Sequence, residues 1–191
     1  MKPWLRYLIC AVIGVVAGVG IAGQSVRSGA LGSSVAIGPW STGTDFGTAR
    51  ASARTRAVVA LRGLLALPAS EARYYTAAAD DTGQPLDGRC RYRLSGGALP
   101  AKWWSITVYD RAGYLVKNDA RIYSLGSVAL GPDEQARWKV VLAPDRQPGH
   151  WLPTGKIEHV ELTLRVYLPA DGGRGNLARA QLPAIIREAC A

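Results

Sequence analysis

The feature that most constrains the fold is an uncharged run from Leu8 to Gly23 near the start of the chain. With the apolar residues just before it, the run reaches about 20 residues, enough to cross about 30 Å of hydrocarbon as a helix. Lys2 and Arg6 precede the run, and basic residues mark the cytoplasmic side of a spanning helix. We therefore predict a membrane anchor over residues 1–23, embedded through residues 4–23, with a cytoplasmic N-terminus.

A cleaved secretory signal is the alternative, because such signals also place an apolar run after basic residues. The small-residue pattern that precedes cleavage is poorly matched, since Gly20-Ile21-Ala22 is the nearest approach to it. Cys10 follows Ile9 and comes too early for lipoprotein processing. The sequence therefore favours an uncleaved anchor in a bacterial inner membrane, crossed once, with the C-terminal domain in the periplasm.

The net charge of +9 is concentrated beside this segment. Residues 1–73 contain eight basic and two acidic residues, whereas the rest of the chain is close to balanced. A nearly neutral domain lacks the basic footprint of a nucleic-acid-binding protein, so we predict no nucleic-acid partner. The basic excess lies where anionic lipid headgroups would be its natural neighbours.

Two further segments separate the anchor from the remaining chain. Residues 24–43 are rich in glycine and serine and have no sustained period, which predicts a linker. Thr44 or Asp45 could cap a helix that runs to about Leu67 and stops at Pro68. Its arginines would form either a solvated face or a contact with anionic lipid, and the sequence leaves both readings open.

Alternating apolar and polar residues fill most of the remainder, as is typical of half-buried strands. In the clearest run, Glu158–Pro169, five apolar residues would face a core: Val160, Leu162, Leu164, Val166 and Leu168. Residues 176–191 would form a short helix or a strand interrupted by Pro183. We therefore predict a mainly β domain over residues 44–191, with these other strand-like runs: Arg73–Ala79, Arg89–Ser95, Lys102–Asp110, Tyr114–Lys117 and Gln135–Ala143.

Two of the three cysteines fall in the predicted exported part. Cys90 and Cys190 would meet oxidising conditions there, which favour a disulfide over two free buried thiols. The bridge would close a loop of about a hundred residues, worth up to about 4–5 kcal/mol on the chain-entropy model. Cys10 would be a small apolar residue of the anchor.

Five stretches carry a recognisable combination of residues: Asp80–Gly96, Pro100–Asp110, Asn118 with Tyr123-Ser124, His150–Gly155 and Leu162–Pro169. Together they resemble the domain of unknown function 1214 family, and in particular its short, membrane-anchored bacterial members. The resemblance runs from about residue 40 to residue 190 and implies a jelly-roll-like antiparallel β-sandwich with one preceding helix. The family has no established reaction, so the resemblance implies a fold and no activity.

No complete catalytic or metal-binding motif is present. A G-x-S-x-G elbow and a phosphate-binding glycine loop are absent from the sequence, and His150 and His159 lack the spacing of a zinc site. The acidic stretch from Asp80 to Asp87 fits turn geometry better than a calcium loop. We therefore predict neither a metal nor a cofactor.

Two functional hypotheses follow from the remaining residues. In the first, an envelope protein without enzymatic activity binds a glycan, another envelope component or a protein partner through six residues: Trp103, Tyr109, Asn118, Trp151, Arg165 and Tyr167. Core packing and sheet edges would also account for many of these aromatics. In the alternative, an envelope hydrolase uses Asp110, His150, Glu161 and Arg165, which requires these four side chains to converge in one pocket.

Overall fold

The computed structural model describes residues 2–27, 34–43, 48, 51–61 and 67–190. The first element is a 25-residue helix, α1 (Pro3–Arg27), and an 18-residue window within Pro3–Val26 has a mean hydropathy of 2.2 with none of its residues buried. Its length and composition suit a membrane span. The predicted apolar N-terminal helix is therefore confirmed, and its composition fits a signal sequence as well.

The remainder is mostly β structure in two sheets. The six-stranded sheet has the order β1-β2-β3-β9-β5-β6, and the four-stranded sheet has the order β10-β4-β7-β8. All neighbours are antiparallel except β7 and β8, which run parallel. The bounds are β1 (Ser34–Ile37), β2 (Trp40–Gly43), β3 (Ala72–Ala77), β4 (Cys90–Gly96), β5 (Ala101–Asp110), β6 (Ser124–Gly126), β7 (Trp138–Ala143), β8 (Trp151–Pro153), β9 (Val160–Pro169) and β10 (Ala184–Cys190).

The core lies between the inner faces of the two sheets. Trp104 of β5 and Trp138 of β7 belong to different sheets, and their ring centroids are 4.7 Å apart. Around them pack the buried aliphatic residues of β4, β7 and β9, including Leu94, Leu142 and Leu164. The mainly β, sandwich-like fold predicted from the alternating residues is therefore confirmed, whereas the jelly-roll connectivity stays a prediction.

The prediction of a linker over residues 24–43 is wrong for the second half of that range. Residues 34–37 and 40–43 form a β-hairpin at the edge of the larger sheet, and β2 pairs with β3. Trp40 is fully buried, and its indole N–H donates to the carbonyl oxygen of Pro183 at 2.8 Å. The chain therefore joins the sandwich about ten residues earlier than predicted.

The predicted helix over residues 44–67 is present only in its middle. The structure has α2 (Ala53–Leu61), whose N-cap is Ser52, since the Ser52 hydroxyl accepts the backbone N–H of Thr55 at 3.0 Å. Residues 44–47, 49–50 and 62–66 lie outside the described residues. Arg54 of α2 donates to the carbonyl oxygen of Ser25 at 3.1 Å, which places a cation at the C-terminal end of α1.

Two details of the predicted strands also differ. In β9, Val160, Leu162, Leu164 and Val166 are buried as predicted, but Leu168 is 48% exposed because its left-handed backbone (φ 48°) turns it outward. Residues 114–117 form no strand, and a single bridge joins Leu115 to Tyr109.

The predicted disulfide and the C-terminal strand meet in the smaller sheet. β10 follows Pro183 and pairs with β4, so residues 184–190 are a strand and not a helix. Cys190 lies opposite Cys90 in this ladder, and their sulfurs are at bonding distance.

Candidate functional site

Four of the predicted ligand-binding residues lie together on the outer face of the six-stranded sheet. Trp103 is paired with Tyr167 across β5 and β9, and their ring centroids are 4.8 Å apart. Arg165 lies two residues before Tyr167 on the same face of β9, and its guanidinium donates to the hydroxyls of Thr107 at 3.0 Å and Tyr109 at 2.6 Å. The fold therefore brings four of the six side chains onto one surface, and their role in binding stays a prediction.

Much of this outer face is covered. Ser105, Thr107 and Thr163 point away from the core along β5 and β9, yet all three are buried. Burial raises the pKa of the neighbouring Tyr74, and a backbone hydrogen bond from Leu67, after α2, partly opposes that rise in pKa. The contacts of this face are therefore largely internal packing.

The four residues of the hydrolase hypothesis do not converge. Asp110 accepts the backbone N–H groups of Ala112 and Tyr114 at 2.9 and 2.8 Å, so it holds the turn after β5. His150 precedes β8 in the other sheet and lies 3.1 Å from Glu134. Glu161 lies opposite Tyr109 in the β5–β9 ladder, and within the described residues only Glu161 and Arg165 of the four share a face.

The other two predicted ligand-binding residues, Asn118 and Trp151, line one groove of about 850 Å³, which we call the Trp151 groove. Its walls come from three separate segments: residues 117–123, the turn after β7, and β8 with the turn that follows it. The other lining residues are Lys117, Asp119, Ala120, Arg121, Tyr123, Pro144, Asp145, Arg146, Pro153, Gly155 and Lys156.

Asn118 shapes the first wall of the Trp151 groove. Its amide nitrogen donates to the carbonyl oxygens of Val116 and Ile122, both at 3.0 Å, and its amide oxygen accepts the N–H of Ile122 at 3.1 Å. These three bonds use both amide protons and tie the two ends of the loop together. Asn118 is therefore a positioning residue, which differs from the direct ligand contact predicted for it.

Gly155 allows the turn after β8 to approach the wall formed by residues 117–123. Its φ is +64°, and a Cβ there would lie 2.5 Å from Cγ1 of Val116 and 2.9 Å from the carbonyl oxygen of Lys117. A side chain at this position would therefore push the two walls apart.

Trp151 is the aromatic centre of the groove. Its indole N–H donates to the carbonyl oxygen of Ala143 at 3.0 Å, which fixes the ring against the end of β7. The guanidinium carbon of Arg146 lies 5.8 Å from the ring centroid, within the range of a cation–π contact. The groove therefore combines a fixed, half-buried aromatic ring with an exposed cationic side chain.

The charges of the groove are unequal. Its lining contains four basic residues and two acidic ones. Lys156 pairs with Asp145 at 3.0 Å, so these two charges largely offset each other. Lys117, Arg121 and Arg146 then outnumber Asp119, and the groove carries a net positive charge. Sequence reasoning missed these basic residues, because they are ordinary surface cations until the fold brings their loops together.

The acidic loop residues have structural partners. Burial would raise the pKa of Asp80, but hydrogen bonds from Thr82 and Gln84 and the nearby Arg187 lower this pKa overall. The Arg89 side chain holds the pKa of Asp87 below its ordinary value. Among the residues that the structure describes, no group of three or more histidine, cysteine or acidic side chains is arranged to hold a metal ion.

The fold and the groove define a β-sandwich domain that follows an apolar helix. A family model described as a protein of unknown function, DUF1214, matches residues 71–171, and this chain belongs to that family. All residues of the Trp151 groove lie within the matched range. No curated protein matches the chain.

Solved structures provide two comparisons. The VPA0106 protein from Vibrio parahaemolyticus is similar with a TM-score of 0.58 and 21% identity, over 98% of this chain and 46% of that one. This chain therefore spans less than half the length of that relative, and the likeness concerns the fold alone. An uncharacterized protein from Burkholderia cenocepacia aligns with a TM-score of 0.41 and 22% identity, over 62% of this chain and 29% of that one.

Proposed function

We propose that this protein is a membrane-anchored binding protein of the bacterial cell envelope, which holds an envelope glycan in the Trp151 groove. The observation that carries the proposal is the convergence of Trp151 with four basic side chains from three separate segments. A concave surface with one fixed aromatic ring and several polar groups is the usual form of a small-ligand site.

The membrane location rests on α1 and on the cysteines. Helix α1 is long and apolar enough to span a bilayer, and Lys2 and Arg6 favour a cytoplasmic N-terminus. The pairing of Cys90 with Cys190 suits an oxidising compartment, so the sandwich would lie in the periplasm. Protease added to spheroplasts should digest the sandwich, and a sandwich that stays protected until the membrane is lysed would contradict this topology.

A glycan suits the groove because of the kinds of groups that line it. An indole ring offers an apolar face to the C–H groups of a sugar, while the surrounding lysines and arginines donate hydrogen bonds to its oxygens. β-Sandwiches of the jelly-roll type often bind saccharides on such surfaces.

Binding is favoured over hydrolysis by the placement of the acidic residues. A glycosidase requires two carboxyl groups that flank the scissile bond. In the Trp151 groove, Asp145 is paired with Lys156, which leaves Asp119 as the single carboxylate of the lining outside an ion pair. Asp110 holds a turn and Glu161 lies on the other sheet.

The proposal is tested by binding to the full-length protein in nanodiscs. The probes are isolated peptidoglycan sacculi in co-sedimentation, and a panel of neutral and acidic oligosaccharides in thermal-shift and calorimetric titrations. We expect at least one saccharide to bind and Trp151→Ala to weaken its affinity about tenfold or more, as for a central aromatic contact.

Trp103→Ala is the matched control, because it removes the same side chain from the outer face of the other sheet. We expect this variant to retain saccharide binding. Loss of binding in Trp103→Ala but not in Trp151→Ala would move the site to that outer face, and failure of every probe to bind would contradict the proposal.

A further inference from the structure

We infer that the ligand of the Trp151 groove is an acidic saccharide, one whose carboxylate or phosphate group is held by Arg121 and Lys117 beside the ring of Trp151. The inference rests on the proposed function and deepens it by naming the class of glycan. It is carried by two features of the groove, its excess of positive charge and the left-handed backbone of Arg121.

The basic side chains that line the groove outside any ion pair are exposed to solvent. Lys117, Arg121 and Arg146 are exposed, and the ion pairs of the described residues engage none of them. A guanidinium group matches the planar fork of a carboxylate or phosphate, and such charge-assisted hydrogen bonds are among the stronger polar contacts. Three cations outside any ion pair, against the single carboxylate of Asp119, therefore favour an anionic ligand over a neutral one.

The backbone supplies the second argument. The described residues include three non-glycine residues in the left-handed region, and two of them, Arg121 (φ 54°) and Lys156 (φ 59°), line this one groove. A side chain in this conformation costs about 1–2 kcal/mol, and such strain concentrates where function requires it. Glycine or asparagine would adopt the same backbone at less cost, so the cation at Arg121 indicates a use for its charge. Lys156 uses its charge in the pair with Asp145.

Three matched pairs of probes test the inference with the full-length protein in nanodiscs. The pairs are trigalacturonate and its methyl ester, glucuronate and glucose, and glucose 1-phosphate and glucose. Inorganic phosphate alone is an additional probe. We expect the acidic member of at least one pair to bind about tenfold or more tightly than its neutral counterpart. This preference should fall as the ionic strength rises, because the cations are exposed.

Arg121→Asn and Lys117→Gln should remove most of the preference for the acidic member, while Arg121→Lys should retain part of it. Asparagine tolerates the left-handed region, so Arg121→Asn removes the charge without straining the loop. The control for the backbone change is Leu168→Asn, which introduces the same residue at the third left-handed non-glycine position of the described residues, outside the groove. This control should leave the preference unchanged.

The outcomes separate this inference from the proposed function. Equal binding of acidic and neutral members, with Trp151→Ala weakening both, would overturn the acidic ligand and leave the saccharide site in place. An acidic preference that survives Arg121→Asn and Lys117→Gln would also overturn the inference. If no member of any pair binds, and no saccharide of the wider panel binds, both the inference and the proposed function fail.

Discussion

Cys190 lies directly opposite Cys90 in the β4–β10 ladder, with their Cα atoms 4.0 Å apart. β10 is an edge strand of the four-stranded sheet, and its pairing with β4 shifts register between Arg187 and Ala189. The bond between the two cysteines therefore fastens the far end of an edge strand just beyond an irregularity in its ladder.

Loss of this bond should lower the stability of the sandwich. Because the bridge closes a loop with a sequence separation of 100, the Cys90→Ala/Cys190→Ala variant should lose about 2–5 kcal/mol of unfolding free energy. Urea unfolding of the full-length protein in detergent, followed by tryptophan fluorescence, measures the difference. Cys10→Ala, in the exposed apolar helix, is the control and should unfold like the wild type. A reducing agent that leaves the wild-type midpoint unchanged would contradict this account.

Two adjacent glycines after β9 offer a second test. Both have positive φ, +64° at Gly172 and +76° at Gly173, but a Cβ on Gly173 would lie 2.1 Å from the carbonyl oxygen of Ala69, whereas one on Gly172 would meet nothing within 4 Å. Gly172→Ala should therefore cost about 1–2 kcal/mol, for the left-handed backbone alone. Gly173→Ala should cost clearly more, because it also displaces the Ala69–Ser70 backbone. Equal unfolding midpoints for the two variants would show that the loop relaxes freely.

The strands were predictable where apolar and polar residues alternate over a long run. β9 shows this well, since four of its five predicted core residues are buried, and the exception, Leu168, depends on a left-handed turn that alternation does not reveal. The β1–β2 hairpin was missed because each strand has four residues within a stretch rich in glycine and serine. Only two residues of the sequence hint at the hairpin. Gly38 adopts a φ of +62° in its turn, and Trp40, the one aromatic residue of the stretch, is fully buried.

The candidate site was predictable only in part, for a different reason. Trp151 and Asn118 belong to stretches that the family resemblance singles out, so both were named in advance. Arg121, Arg146 and Lys156 lie in separate loops, and their proximity depends on the pairing of β7 with β8 and on the close approach at Gly155. Loop charges without local pattern become a site only through such tertiary contacts.

Asp80 makes the stability of the sandwich depend on pH. It is 2% exposed, and its Oδ1 accepts the backbone N–H of Thr82 at 2.9 Å, the Thr82 hydroxyl at 2.6 Å and the backbone N–H of Gln84 at 3.1 Å. Its Oδ2 lies 3.2 Å from Nε of Arg187 in β10. Burial acts to raise the pKa of Asp80, but these hydrogen bonds and the Arg187 charge outweigh it, so the folded-state pKa is lowered.

The sign of the pH effect follows from that lowered pKa. An aspartate whose pKa is depressed by folding contributes its full stability above its unfolded pKa of about 3.9, and this contribution is lost as the pH falls through the folded pKa. Asp80→Asn should therefore cost about 1–3 kcal/mol of unfolding free energy at pH 7, and less as the pH falls below about 4. Urea unfolding midpoints of both proteins between pH 7 and pH 3 measure this convergence. Asp133→Asn, at an exposed position, is the matched control. A constant gap between wild type and Asp80→Asn across this range would show that the carboxylate charge is not what stabilises the loop.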